Sequence, residues 1–264
     1  MTYNLNELDI NIINRKSFSS GITFSYQDNT YYYKQINPIE KLYNELIAEK
    51  IANKLNIVCC KYNIAEYYDN LGVISEVFDK EHYLSMSDFL SNNYNDITGK
   101  NNIASINKAI NNSFSKETSK KLQEELLRIF LFDVLIGNCD RNTDNYGLII
   151  DDNPRFAPLF DNENMLSDYA IYDGNYTLEI DEDDYNNEDE NLLYKLLDKN
   201  EHTKDLLKEM LPIISEESLL DIFNELELEN DINPYIKETI LNRFSINRNM
   251  LKSYYKQKVK RAII

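Results

Sequence analysis

Gly137-Asn138-Cys139-Asp140-Arg141-Asn142-Thr143-Asp144-Asn145 is the stretch on which the reading of this chain turns. It follows directly on a segment whose apolar residues Leu122, Leu126, Leu127, Phe130, Leu131, Val134 and Leu135 recur at helical spacing. That pattern predicts a deeply buried helix, with Ser119 as its cap and Gly137 as its stop. Downstream, Tyr146 to Ile150 and Arg155 to Pro158 read as short strands around the turn Asp151-Asp152-Asn153-Pro154. Such a hairpin brings the chain back to Leu159-Phe160-Asp161, so the loop meets a second acidic residue sixteen positions after Asn145.

An Asp and an Asn five apart in one loop, joined by a returning Asp, match the needs of phosphoryl transfer. One carboxylate orients the attacking hydroxyl and accepts its proton, while hard oxygen ligands hold Mg²⁺ on nucleotide phosphates. Asp140 is the candidate for the first role, Asn145 a candidate metal ligand and Asp161 the principal one. Asp and Asn are also ordinary turn residues, so the loop alone does not specify this chemistry. Its conjunction with the buried helix, the hairpin and Asp161 does.

Working outward, Ile10 to Ile13, Ile22 to Tyr26 and Thr30 to Ile36 read as three strands, with Gln27-Asp28-Asn29 as a turn. A helix follows from about Ile39 to Leu55, and Val58 to Tyr67 and Leu71 to Val77 read as two more strands. From Leu84 the pattern is mainly helical: a polar loop at Ser91 to Asn101, a short helix at Ile103 to Ile110, and further helices at about 191–199, 203–212, 216–228 and 233–257. The expected fold class is α+β, bilobal and protein-kinase-like. A small β-rich lobe with one helix, residues 1–77, binds nucleotide, and a larger helical lobe, residues 78–264, carries the catalytic loop.

Within the small lobe, Lys34 ends a strand where a lysine can contact nucleotide phosphates. Glu45 on the next helix is its candidate ion-pair partner, with Glu49 one turn later as the competing choice. Ser17-Phe18-Ser19-Ser20-Gly21 occupies the turn between the first two strands, where Ser19, Ser20 and Gly21 can cradle anionic oxygens. Ser75-Glu76-Val77-Phe78 forms the connector, with Glu76 and Val77 as candidates for the adenine edge.

Leu135 to Leu148 resembles the catalytic loop of HipA-like kinases, and Ala157-Pro158-Leu159-Phe160-Asp161-Asn162 resembles their metal-binding segment. The loop is more distantly similar to that of phosphatidylinositol kinases, which reads G-D-R-H-x-x-N. The resemblance spans roughly residues 10–245, although its specific motifs occupy only some 25 of them. Two positions depart from it: Asn142 stands where these families usually carry His, and Asp144 where many HipA members carry Lys. The resemblance implies a serine/threonine protein kinase using ATP and Mg²⁺, compact and CtkA-like because the chain begins almost at the first strand. It further implies autophosphorylation at Ser19 or Ser20, a toxin-type role, and an antitoxin or other regulatory partner beside the Ser/Thr-bearing substrate. The alternatives are a nucleotide-binding pseudokinase, motivated by Asn142 and Asp144, and a lipid or small-molecule kinase.

The 264 residues suffice for two lobes around a cleft. With 45 acidic against 28 basic residues the net charge is −17, which disfavours nucleic acid and anionic membrane surfaces as partners. The acidic run at 181–190 reads as a solvated loop or a docking surface for a basic partner. Cys59, Cys60 and Cys139 with His82 and His202 form no metal-binding spacing, and reduced thiols point to the cytoplasm. The N-terminus lacks a signal-peptide pattern and no apolar run reaches membrane-spanning length.

Overall fold

The structure is a computed structural model, and it describes residues 2–15, 21–79, 81–93, 103–138, 141–165, 197–198, 202–230 and 232–261. Nine strands and seven α-helices are described. The first part of the chain builds a six-stranded sheet in the order β1-β5-β6-β4-β3-β2. Its strands are β1 (Thr2–Asn4), β2 (Asn11–Arg15), β3 (Gly21–Tyr26), β4 (Asn29–Gln35), β5 (Asn63–Tyr67) and β6 (Asn70–Glu76). All neighbours are antiparallel except β1 and β5.

The sheet's two faces follow from the period-2 alternation of strand side chains. Ile22, Phe24, Tyr33, Ala65 and Ile74 pack on one face under Leu5, which sits in a short 3-10 turn at Leu5–Glu7. Ile36, Ile64 and Val73 pack on the opposite face, in the main core with helix α1 (Ile39–Lys54). Tyr33 belongs to the first face, so Lys34 is turned to the second, toward α1. That alternation aims Lys34 at the helix carrying Glu45.

The close pairing of β4 with β6 imposes a steric condition at the same place. A Cβ built on Gly72 would lie 2.1 Å from the Lys34 carbonyl oxygen and 2.9 Å from the Gln35 Cα. Both obstacles are backbone, which cannot rotate aside. Gly72→Ala is therefore expected to lower stability by about 1–3 kcal/mol, the range for overpacking a tight site. A urea midpoint equal to wild type would show that the strands part without cost.

The remaining described elements are helical, apart from a small sheet in the order β7-β8-β9 (Tyr83–Ser85, Gly147–Ile149, Arg155–Phe156). The helices are α2 (Met86–Asn93), α3 (Ile103–Ser113), α4 (Lys116–Ile136), α5 (Thr203–Ile213), α6 (Glu216–Asn230) and α7 (Pro234–Arg261). Helix α4 runs through the core with Leu122, Leu126, Phe130, Leu131 and Ile136 buried. It ends at Gly137, whose φ of 57° is the left-handed conformation that favours glycine.

Several expectations need adjusting. The cap of α4 is Ser115, whose hydroxyl accepts the Thr118 N–H, and Ser119 lies a turn inside, buried and donating to the Ile110 carbonyl. The expected strand from Val58 is ordered as β5 only from Asn63, while Cys59 forms a lone parallel bridge to Leu159. Residues 91–93 of the expected polar loop belong to α2. β1 and β7 were not anticipated. Most of the expected helix at 191–199 and the whole acidic run 181–190 lie outside the described residues.

Candidate active site

Three elements converge on the Lys34 ammonium: its own strand β4, helix α1 and the segment after β9. Nζ contacts the Asp161 carboxylate, lies 2.8 Å from a Glu163 oxygen and 3.8 Å from Glu45 Oε1. Burial works against the lysine's charge, but the Asp161 and Glu45 carboxylates outweigh it and raise its pKa. Lys34 is held as a cation. Glu49, the competing partner, faces elsewhere and accepts the Tyr62 N–H at 3.2 Å and the Asn53 amide at 3.0 Å.

Glu45 is 1 % exposed. Its Oε2 accepts the Asn162 backbone N–H at 2.9 Å, while Oε1 has no hydrogen-bond partner among the described residues. Burial, only partly offset by Lys34, pushes its carboxyl from the ordinary 4.5 up to about 7. The folded protein thus keeps a proton that the unfolded chain has released. Between pH 4.5 and about 7 this group therefore destabilises the fold as pH rises, by about 3 kcal/mol across the interval. In metal-free buffer, Glu45→Gln is expected to flatten that part of the stability–pH curve. Urea midpoints at several pH values check it, and an unaltered slope would remove Glu45 as the source.

Asp161 is held by the backbone on either side of it. Its own φ is 62°, a left-handed value that Asp tolerates better than most residues. Before it, the Leu159 N–H donates to the Val58 carbonyl and the Leu159 carbonyl accepts from the Cys60 N–H. The Asp161 backbone N–H is directed at the phenol oxygen of the half-buried Tyr62, whose pKa desolvation raises. After it, Asn162 is fully buried against Glu45.

Arg141, immediately after Asp140 in sequence, was not singled out from sequence, yet its side chain is fully buried at the hub of the loop. Nε and Nη2 donate to Asp133 of α4 at 3.2 and 3.0 Å. Nη1 donates to the carbonyls of Phe160 at 2.6 Å and Asn145 at 3.3 Å, and Nη2 also reaches Asn162 Oδ1. One guanidinium therefore joins the helix, the loop containing Asn145 and the segment containing Asp161. Burial pushes the Asp133 carboxyl up, opposed by Arg141.

Glu45, Asp161 and Glu163 offer carboxylate oxygens that all lie within 4.8 Å of one another. Hard oxygens at that spacing suit a divalent cation such as Mg²⁺. Asn145 is buried and sits in the loop whose carbonyl Arg141 holds. Gly21 opens β3 directly opposite Lys34. Glu76 ends β6 and is exposed. The Val77 N–H is already donated to the Thr30 carbonyl at 2.9 Å, so it is not available to an adenine edge. Asn142 and Asp144 are exposed, and the Asn142 side chain accepts the Asp144 N–H at 3.0 Å in a local turn. Ser19, Ser20 and Asp140 lie outside the described residues.

The family model of the HipA-like C-terminal domain matches residues 23–227. The chain belongs to this family. Its fold is also that of solved kinases. The crystal structure of the Helicobacter pylori proinflammatory kinase CtkA superposes with a TM-score of 0.78 at 18 % identity, covering 99 % of this chain and 100 % of CtkA. Shewanella oneidensis MR-1 HipA, solved with HipB and its operator DNA, gives 0.62 at 13 % identity over 96 % of this chain and 75 % of that one. No curated protein sequence matches. As a member of the HipA-like family the chain is kinase-like, with the α+β architecture expected from sequence. None of its described helices is long and apolar enough to cross a membrane.

Proposed function

We propose that this chain is an ATP- and Mg²⁺-dependent serine/threonine protein kinase of the HipA type. The observation that carries the reading is the meeting of Lys34, Glu45 and Asp161 in one cluster. A strand lysine, a helix glutamate and a returning aspartate are the parts from which kinases build their phosphate and metal contacts. In this reading residues 1–77 form the nucleotide-binding lobe and 78–264 the helical lobe. Lys34 contacts the nucleotide phosphates, positioned by Glu45, and Ser19, Ser20 and Gly21 line the phosphate turn. Asp161 and Asn145 would hold Mg²⁺, which when bound neutralises phosphate charge. Asp140 orients the acceptor hydroxyl of a protein Ser or Thr and takes its proton. At the connector, Glu76 and Val77 are the candidates for the adenine edge, with the Val77 N–H already given to the Thr30 carbonyl.

A regulatory protein partner of the antitoxin kind fits the family, while the net charge of −17 argues against direct nucleic-acid contact. The exposed positions of Asn142 and Asp144 keep a second reading in view, a nucleotide-binding module that does not transfer phosphate. One assay separates the readings. Protein is incubated with γ-labelled ATP, Mg²⁺, a mixed protein substrate and anionic liposomes, and product phosphoamino acids are resolved. Label on Ser or Thr supports the proposal. Label on lipid, or ATP binding by calorimetry without any transfer, overturns it in favour of the corresponding alternative.

A further inference from the structure

The turn after Asp161 is fastened to helix α1 by groups that neither the loop motif nor the Lys34–Glu45 pair accounts for. Asn44 Nδ2 donates to two backbone carbonyls of that turn, Glu163 at 2.8 Å and Met165 at 3.0 Å. One turn of helix earlier, Lys41 Nζ lies 3.2 Å from the Glu163 carboxylate. The next residue along, Glu45, takes the Asn162 N–H. Within the turn, the Met165 N–H returns to the Asn162 carbonyl at 3.0 Å, and Met165 itself is buried.

Positions 41, 44 and 45 share one helical face, because residues three and four apart are neighbours on an α-helix. That face meets the turn with complementary polarity. An amide donor meets two carbonyls, a carboxylate meets one N–H, and an ammonium meets a carboxylate. An asparagine side chain can donate two hydrogens from one nitrogen, which is what two carbonyls of a single turn require.

We infer that Asn44, assisted by Lys41, is a positioning residue that sets the direction of the Asp161 carboxylate toward a nucleotide-bound divalent cation. This rests on the functional reading above. Asp161 stands at a left-handed φ of 62°, a conformation that persists where the surrounding chain fixes it. Upstream, Val58, Cys60 and Arg141 fix the chain through Leu159 and Phe160. Downstream, Asn44 and Glu45 fix it through residues 162–165. Release of the downstream side lets the carboxylate rotate away from its metal-binding direction. Glu45, carried on α1 itself, stays 3.8 Å from the Lys34 ammonium.

The test reads metal binding directly, without turnover. Mn²⁺ is titrated into wild type, Asn44→Ala and Asn44→Asp with saturating AMP-PNP, a nonhydrolysable ATP analogue, and free Mn²⁺ is followed by electron paramagnetic resonance. Asn44→Ala is expected to raise the half-saturating Mn²⁺ concentration about ten-fold, the low end for loss of a group that orients a metal ligand. Asn44→Asp, which sets a carboxylate against two carbonyls, is expected to raise it further. Lys41→Met, at a partly exposed site, gives a smaller rise and serves where an Asn44 variant fails to fold. AMP-PNP affinity in EDTA stays at the wild-type value in all of them. A Mn²⁺ titration unchanged from wild type, or an equal loss of AMP-PNP affinity in EDTA, overturns the positioning role. Wild-type protein that takes up no Mn²⁺ with AMP-PNP overturns the functional reading instead.

Discussion

Arg141→Ala is expected to destabilise the protein by about 3–5 kcal/mol, the range for removing one partner of a buried ion pair. Asp133 and Arg141 are both fully buried at the side chain, and the guanidinium is also the donor to the Phe160 and Asn145 carbonyls. Truncation strands a carboxylate in the core, which then takes up a proton to become neutral. Its folded-state pKa then lies further above the unfolded value, so the variant loses stability as pH rises through that interval. Arg141→Ala should therefore be less impaired, relative to wild type, at pH 5 than at pH 8. Asp133→Leu combined with Arg141→Met removes both charges and recovers only part of the loss, because the Phe160 and Asn145 carbonyls remain without their donor. Urea midpoints of the three proteins decide the matter. A single variant within about 1 kcal/mol of wild type would mean that water or another side chain reaches these groups.

The arrangement around Arg141 shows where the sequence was readable and where it was not. Strands and helices that carry a long apolar period declared themselves: β3, β4, β6, α1 and α4 lie close to where the pattern places them. β1 and β7, of three residues each, are too short to show alternation, and each is defined by the strand it pairs with. Ser119 lies three residues before Leu122, the first apolar residue of the pattern, but the helix begins one turn earlier with Ser115 as its cap. The meeting of Lys34 with Glu45 was legible because β4 and α1 are regular enough to count along.

Arg141, Asn162, Glu163, Asn44 and Tyr62 act through contacts between segments far apart in sequence, which no local spacing encodes. A signal for one of them did exist. Asp133 is the lone charge in Ile129-Phe130-Leu131-Phe132-Asp133-Val134-Leu135-Ile136. A carboxylate in so apolar a run must either meet solvent or find a buried cation. Arg141, eight residues on, is the nearest basic residue downstream. Val77 illustrates the opposite case. Its place just after a strand was legible, but the engagement of its N–H by Thr30 depends on strand register.

Asp161→Asn is expected to abolish phosphate transfer, with a loss of about 10³-fold, the upper end for removal of a single preorganised electrostatic group. Asn is the better replacement than Ala because position 161 has a φ of 62°. Asn tolerates that conformation, whereas Ala adds about 1–2 kcal/mol of backbone strain and confuses the result with destabilisation. The substitution also removes one negative charge beside Lys34, which retains Glu163 at 2.8 Å and Glu45 at 3.8 Å as partners. Nucleotide binding without metal should accordingly survive, while its strengthening by Mg²⁺ is lost. ATP affinity measured with Mg²⁺ and with EDTA, beside the transfer rate, separates these effects. Equal loss of affinity in both buffers would make Asp161 a partner of Lys34 alone. Undiminished transfer would move the metal-binding role to another carboxylate of the cluster, with Glu163 first in line because it shares both the lysine and the turn.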